Sequence, residues 1–383
     1  MILIGTDNWS EGMWAREHKA EYDDWGEVLL YFKKAETIAD PGVDTSQHGV
    51  DGPIISTGVW TTGRHFPLRE PIRKAWAELG VSSNPDPNRG DLIGVGEVSE
   101  NRKNGLRQIS SSAYSLKGVT VFIDTLVKRV LISKDGETLR ATGIECASGS
   151  AYLASKEVIL SAGAYRTPQL LMLSGLGPKD HLASNSIETV LDLPDKAIER
   201  DEGRVPTASH PLLKTTRAFI GTLITYAVAY PLYPVNGPGG SHITTLLMAV
   251  QLTSKGSVRL ASAGPIDSPL IDPNLYATEV DRYAIRQGVR DIAKLLLETT
   301  NCKRFVLKEK APDSFPPLLA NASDADIDAR IAHSAISFCH PMGSAAMGKV
   351  VDNNLHVKGV EGLRVVYASV IPVAISAALQ QAV

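Results

Sequence analysis

The sequence predicts an α/β chain, α+β overall, in which a Rossmann-like unit built on a parallel sheet is joined to a second domain with an antiparallel sheet and covering helices. Three observations predict it. "EVILSAGAYRTPQLLMLSGLG", residues 157–177, runs from an apolar, β-branched strand through a small-residue turn into a capped helix, the order of a parallel-sheet crossover. "LLMAVQLTSKGSVRLASAGPIDSPLIDPN", within a block from 205 to 275, alternates apolar and polar residues around a Ser-Lys-Gly turn, as antiparallel strands with one wet face do. Finally, 383 residues are more than a single ordinary core holds, so two domains are expected.

Composition narrows the function. A formal charge of −3 with 21% charged residues leaves no basic footprint for nucleic acid. No apolar run is long enough to span a bilayer, and "MILIGTDNWSEGMWAREH" lacks the apolar core of a signal peptide, so the expected location is cytoplasmic, away from the membrane. Cys146, Cys302 and Cys339 are too few and too scattered for a disulfide framework or a zinc cluster, and reduced thiols with no metal are expected. Sequons at Asn8 and Asn321 decide nothing without a secretory signal. No pattern sets an oligomeric state.

Along the chain, "EYDDWGEVLLYFKKAETI" places Trp25, Val28, Leu29, Phe32 and Ala35 at helical spacing. Residues 40–65 read as loop and short strands, and 82–97 as a Pro/Gly/Asn-dense loop. "GVTVFIDTLVKRVLI", 118–132, predicts two short strands, and 141–160 a hairpin leading into Val158, Ile159 and Leu160, a strand covered on both faces. Ala162 and Gly163 then remove bulk where a ligand can reach the main chain. Thr167 is the expected N-cap, Pro168 the first helical residue and Gly175 the stop, with Leu170, Leu171 and Leu173 as the apolar stripe. In open α/β sheets the crevice beyond such strand ends binds nucleotides; a crossover without a ligand is the alternative reading. Residues 279–300 predict a helix burying Ala284, Ile285, Val289, Ile292 and Leu296.

The last block carries the most chemistry. His340 precedes Pro341 and a Gly-Ser-Ala-Ala stretch, a turn with open volume beside the ring, and "GLRVVYASVIP", 362–372, is a further apolar strand ending at Ala368 and Ser369. Two strand ends with small residues and a nearby histidine make a cofactor crevice with a general base, against the alternative of a histidine that only packs.

At these residues the chain resembles the glucose-methanol-choline (GMC) family of FAD-dependent oxidoreductases. "GAYRTPQLLMLSGLG" is similar to the family's second signature, with Gly163, Thr167, Pro168, Ser174, Gly175 and Gly177 in register, and "HPMGSAAMG" with "VVDNNLHVKGVEGLRVVYASVIPVAIS" resembles its C-terminal region. "EGMWAREHKAEYDDW" and "LLYFKKAE" are similar to the region around its first signature. The resemblance implies FAD as cofactor, a small-molecule alcohol as substrate, and hydride transfer to flavin with His340 as general base. It implies cofactor contacts at Val127, Ala162, Gly163, Ala368 and Ser369. It also implies a domain order: a remnant of the FAD domain and lid at 1–40, a substrate-domain segment with loops at 41–115, the FAD-binding domain at 116–200, the antiparallel substrate domain at 201–335, and the FAD domain's C-terminal part at 336–383. Specificity is expected in loops such as 82–97 and 231–242.

Departures from the family pattern shape the expectations. The strand, G-x-G-x-x-G turn and helix with which the family opens are not present in this sequence, and Asp7 and Glu11 put carboxylates near an anionic cofactor. The chain is therefore expected to purify largely without FAD. Ala378 stands where the family has a second polar residue, and Tyr367 where an Asp is usual. The alternative function is a degenerate or non-redox homologue, a binding protein or a cyclase-like enzyme with weak or no flavin binding.

Overall fold

The computed structural model describes residues 2–4, 25–87, 93–97, 99–193, 219–225 and 242–372. Its parallel unit is built from distant pieces. Val158–Leu160 pairs in parallel with Leu363–Val365, register Val158↔Leu363 to Leu160↔Val365, so the late strand lies beside the early one as the sequence predicts. It is shorter than expected: after Val365 the chain leaves the ladder and turns into a 3-10 helix, Ala368–Val370. Beside it stands an antiparallel sheet of Val127–Asp135, Thr138–Cys146 and Ala151–Leu153. Val130, Val158, Leu160, Leu171, Leu363 and Val365 share one core with residues of the 345–360 segment.

Several local expectations are corrected. Residues 118–126 form no strand; Gly118 (φ 82°) and Asp124 (φ 51°) turn the chain there, and Val119, Val121, Phe122 and Ile123 are exposed. Val158 and Leu160 are buried, but Ile159 is 52% exposed, so among the described residues only one face of the parallel pair is covered. The helix runs Gly163–Leu173, with Ala162 rather than Thr167 at its cap position and Pro168 inside it. Gly163, at φ 80°, supplies the left-handed step that turns strand into helix five residues earlier than the Thr-Pro pair suggests. The stop is as predicted: Gly175, at φ 80°, approaches the 188–190 backbone so closely that a Cβ would lie 2.6 Å from the Glu188 carbonyl.

The second unit is a four-stranded antiparallel sheet in the order Thr244–Ala249, Ile220–Thr225, Ile2–Ile4, Val95–Glu97. Its first and last strands come from chain segments far apart in sequence. The Ser-Lys-Gly turn does not join paired strands: Thr244–Ala249 pairs with Ile220–Thr225, whereas Ser257–Arg259 pairs with Leu270–Asp272. The reason is local packing, because a Cβ on Gly256 would collide with the Asp272 carbonyl, and the hydroxyls of Thr253 and Ser254 are taken by Asp281.

Helix Glu279–Leu297 lies over this sheet, capped by Thr278, whose Oγ1 accepts from the Asp281 N–H. Its most buried positions are Asp281, Gly288, Ala293 and Leu295; Ala284, Ile285, Val289, Ile292 and Leu296 are half-buried. The face is rotated because Gly288 admits close approach: a Cβ there would lie 2.8 Å from Ile220 Cδ1 and 2.9 Å from Leu247 Cδ1. Arg286 on the outer side pairs bidentately with Asp328 of helix Asp324–Ser334, and that ion pair holds the Asp328 carboxyl down at about 2.

Near the first helix, Trp25–Ala35, His48 is 3% exposed between Glu36 Oε2 at 2.9 Å and Asp86 Oδ2 at 3.1 Å. Burial alone would lower its pKa; the bonds to Asp86 and Glu36 override it and raise the ring to about 9. His48 thus ties strand Glu36–Ile38 to the 82–97 excursion. Among the described residues no helix is long and apolar enough to cross a membrane, and no His/Cys/Asp/Glu group is arranged to hold a metal.

Candidate active site

The crevice grows from the end of strand Val158–Leu160. Ala162 is exposed and Gly163 half-buried, and the first turn of helix Gly163–Leu173 has N–H groups without intrahelical acceptors, no side chain capping them. A helix start of this kind is suited to anionic and electron-rich groups. A Cβ at Gly163 would meet only the Tyr367 ring, 3.8 Å away. Tyr367 and Val366 are 44% and 42% exposed, so the end of the partner strand presents an aromatic, apolar surface.

The segment that carries His340 follows Phe338 and leads into residues bonded to the start of helix Gly163–Leu173. Ser337 Oγ accepts from the Cys339 N–H at 3.2 Å, Cys339 takes φ 61°, and Pro341 biases His340 towards extended backbone. His340 is half-buried, edge-on to Phe338 with ring centroids 5.1 Å apart. Burial pushes its pKa below the ordinary 6.5, so the ring is neutral and able to accept a proton near pH 7.

Beyond His340 the chain is knitted to the other wall. The N–H groups of Gly343, Ala345 and Met347 donate to the carbonyls of Ala368, Ser369 and Val370 at 3.2, 2.8 and 2.9 Å. Ser344 Oγ donates to the Ala164 carbonyl at 2.5 Å. The structure therefore brings the 343–347 segment, which follows His340 in the chain, against Ala368–Val370 and against the first turn of helix Gly163–Leu173. Ala368 and Ser369 are 3% and 0% exposed; what reaches the surface beside them is Tyr367. Val127 stands apart: its strand meets the helix at the C-terminal end, where Ser174 Oγ accepts from the Val130 N–H at 2.8 Å. Asp7, Glu11, Ala378 and residues 231–241 lie outside the described residues. Sequence reasoning misses Ser344, Phe338 and the place of Pro168 within its helix; a proline followed far downstream by a Gly-Ser pair is no local signal.

Whether a flavin nucleotide suits these residues is answered by three features. The Gly163 cradle is open, the helix start offers N–H groups, and Ser369 Oγ and Thr167 Oγ1 are buried hydroxyls without a partner among the described residues. Small residues, unpaired donors and exposed aromatic rings fit such a group.

The comparisons with known proteins define the class and then the family. The fold is that of flavin oxidoreductases: a formate oxidase of Aspergillus oryzae superposes with TM-score 0.83 at 22% identity. A pyridoxine 4-oxidase from Mesorbium loti superposes with TM-score 0.81 at 24% identity. Each likeness covers 99% of this chain and 79% of the other. The family models for GMC oxidoreductase match residues 4–191 and 253–383. The GMC-type oxidoreductase acuG of Aspergillus aculeatus is 35% identical over 97% of this chain and 80% of its own length. The chain belongs to the GMC oxidoreductase family, and its cofactor is FAD.

Proposed function

We propose that this oxidoreductase oxidises a small-molecule alcohol, with His340 accepting the hydroxyl proton as the carbinol carbon loses hydride. FAD, when bound, supplies the hydride acceptor. The chain's own residues supply the rest. Gly163 and the helix start hold the cofactor close to the main chain, and Ala162 adds no bulk in its path. The Tyr367 ring, 3.8 Å from the place of a Gly163 Cβ, flanks the cradle with an apolar face. His340, through its imidazole, takes the proton and is ready to do so because burial keeps the ring neutral.

What supports this reading is that His340, half-buried with a depressed pKa, stands a few residues before a segment bonded both to Ala368–Val370 and to Ala164 next to Gly163. His340→Gln tests it. Flavin reduction by substrate, followed by stopped-flow, is expected to fall about 10²- to 10⁴-fold, the usual size of a general-base contribution, with FAD content unchanged. In the parent, the rate is expected to be present above the depressed pKa and lost as pH falls below it, with the acid limb under 6.5. A rate indifferent to His340→Gln would exclude His340 as the base.

A further inference from the structure

We infer that Ser344 is a positioning residue, which fixes the proton acceptor His340 relative to the cofactor helix through a carbonyl that Pro168 leaves free. The inference rests on the reading of His340 given above. Pro168 is inside helix Gly163–Leu173 and has no N–H, so the carbonyl four residues before it, that of Ala164, lacks its helical donor. Ala164 is 4% exposed, and a carbonyl buried there needs a partner. Ser344 Oγ supplies it at 2.5 Å.

The bond joins two walls that nothing local in the sequence would join. On one side, residues 343–347 are registered against 368–370 by three backbone bonds. Gly343, at φ 78° with the Ile371 carbonyl 3.1 Å from the place of a Cβ, makes that approach tight. On the other side, Ser344 reaches the first turn of the helix that begins at Gly163. His340 lies four residues before Ser344. The backbone bonds fix the segment that follows it against 368–370, and the Ser344 hydroxyl fixes that segment against Ala164 in the first turn of the helix. A proton acceptor misplaced by about 1 Å can lose two orders of magnitude in rate, so this second reference has consequences for chemistry.

A cycle of Ser344→Ala, Ser344→Thr, Pro168→Ala and the Pro168→Ala/Ser344→Ala double variant tests it, read by thermal unfolding, by kcat and KM, and by the His340 ring titration in histidine-labelled protein, assigned with His340→Gln. Ser344→Ala is expected to lower Tm, to reduce kcat about tenfold with KM little changed, and to move the His340 titration. Ser344→Thr, which keeps a hydroxyl, is expected to restore all three. Pro168→Ala gives the Ala164 carbonyl an intrahelical donor, so the Tm loss from Ser344→Ala is expected to shrink in that background while the kcat loss persists. Additive Tm effects would overturn the pairing of Ser344 with the carbonyl that Pro168 frees. Coupled Tm effects with an unchanged kcat and an unmoved His340 titration would overturn the positioning role. If instead the couplings hold but His340→Gln leaves turnover intact, the pairing stands and the assignment of the base fails, so the two outcomes are separable.

Discussion

Two helices in this molecule begin in opposite ways. Helix Glu279–Leu297 starts closed: Thr278 caps it, and Asp281, 2% exposed, accepts from the N–H groups of Thr253 and Ser254 at 2.8 and 2.9 Å and from both their hydroxyls. Helix Gly163–Leu173 starts open: its cap position is an exposed alanine, no side chain caps it, and its first residue is a left-handed glycine. The same four orphan donors arise at each start. At Glu279 the Asp281 N–H donates to Thr278 Oγ1, Ser254 Oγ accepts from the Ala277 and Thr278 N–H groups just before it, and the Asp281 side chain locks the 253–254 loop onto the same turn; at Gly163 no side chain caps the start. On the proposed function the first terminus builds the fold and the second serves the chemistry, and damage at each end is expected to have a different signature.

The largest effect is expected at the closed end. Asp281→Ala removes the acceptor of four donors at a buried position and should destabilise the chain by about 3 kcal/mol, measured by urea unfolding, while FAD per folded molecule stays at the parent level. Loss of FAD affinity without loss of stability would erase the contrast. A second closed junction adds a pH signature. His48 is raised to about 9 against 6.5 for a free ring, so its protonated form stabilises the fold fully below about pH 6.5, and that contribution is lost as pH rises through about 9. Over this window it amounts to about 3 kcal/mol. Urea midpoints recorded from about pH 6 to about pH 10 should show the decline, and His48→Gln should flatten it.

The smallest stability effect, and the most specific functional one, belongs to the open end. Gly163→Ala places a Cβ on left-handed backbone, a strain of about 1 kcal/mol, and reduces the freedom with which a ligand approaches the main chain. A several-fold weaker FAD affinity with only a small fall in Tm is the expected pair of results, read by flavin fluorescence and differential scanning. If the Gly163→Ala variant binds FAD as the parent does, this helix start is open for no functional reason.

How much of this is legible in the sequence depends on distance along the chain. The strand Val158–Leu160, the stop at Gly175 and the helix over 279–300 follow from neighbours within a few residues, and the family signatures around Gly163 and His340 are readable as resemblance. The start of helix Gly163–Leu173 is misplaced by local reasoning, because Thr167–Pro168 is a good local N-terminus; the helix starts instead at the left-handed Gly163, and the Ala164 carbonyl that Pro168 leaves without a helical donor is taken by the Ser344 hydroxyl, 180 residues away. The buried face of helix Glu279–Leu297 is misread for a similar reason: periodicity finds an apolar stripe, but the lack of a side chain at Gly288 lets Ile220 and Leu247 in and rotates the contact line.

The sequence by itself therefore determined the strand Val158–Leu160, the stop at Gly175, the family, and the residues that carry its signatures. The pairing of Val158–Leu160 with Leu363–Val365 was readable in the sequence; tertiary structure decided the others. It placed Ile2–Ile4 between two strands of the antiparallel sheet, and it sent the Ser-Lys-Gly segment against Asp272 rather than into a hairpin. It also decided that Ser344 meets the first turn of the helix that begins at Gly163. The physical reason is that turns and caps are set by interactions between near neighbours, whereas pairing and site assembly depend on which distant surfaces bury apolar area and satisfy each other's backbone groups, a condition met only when the whole chain has come together.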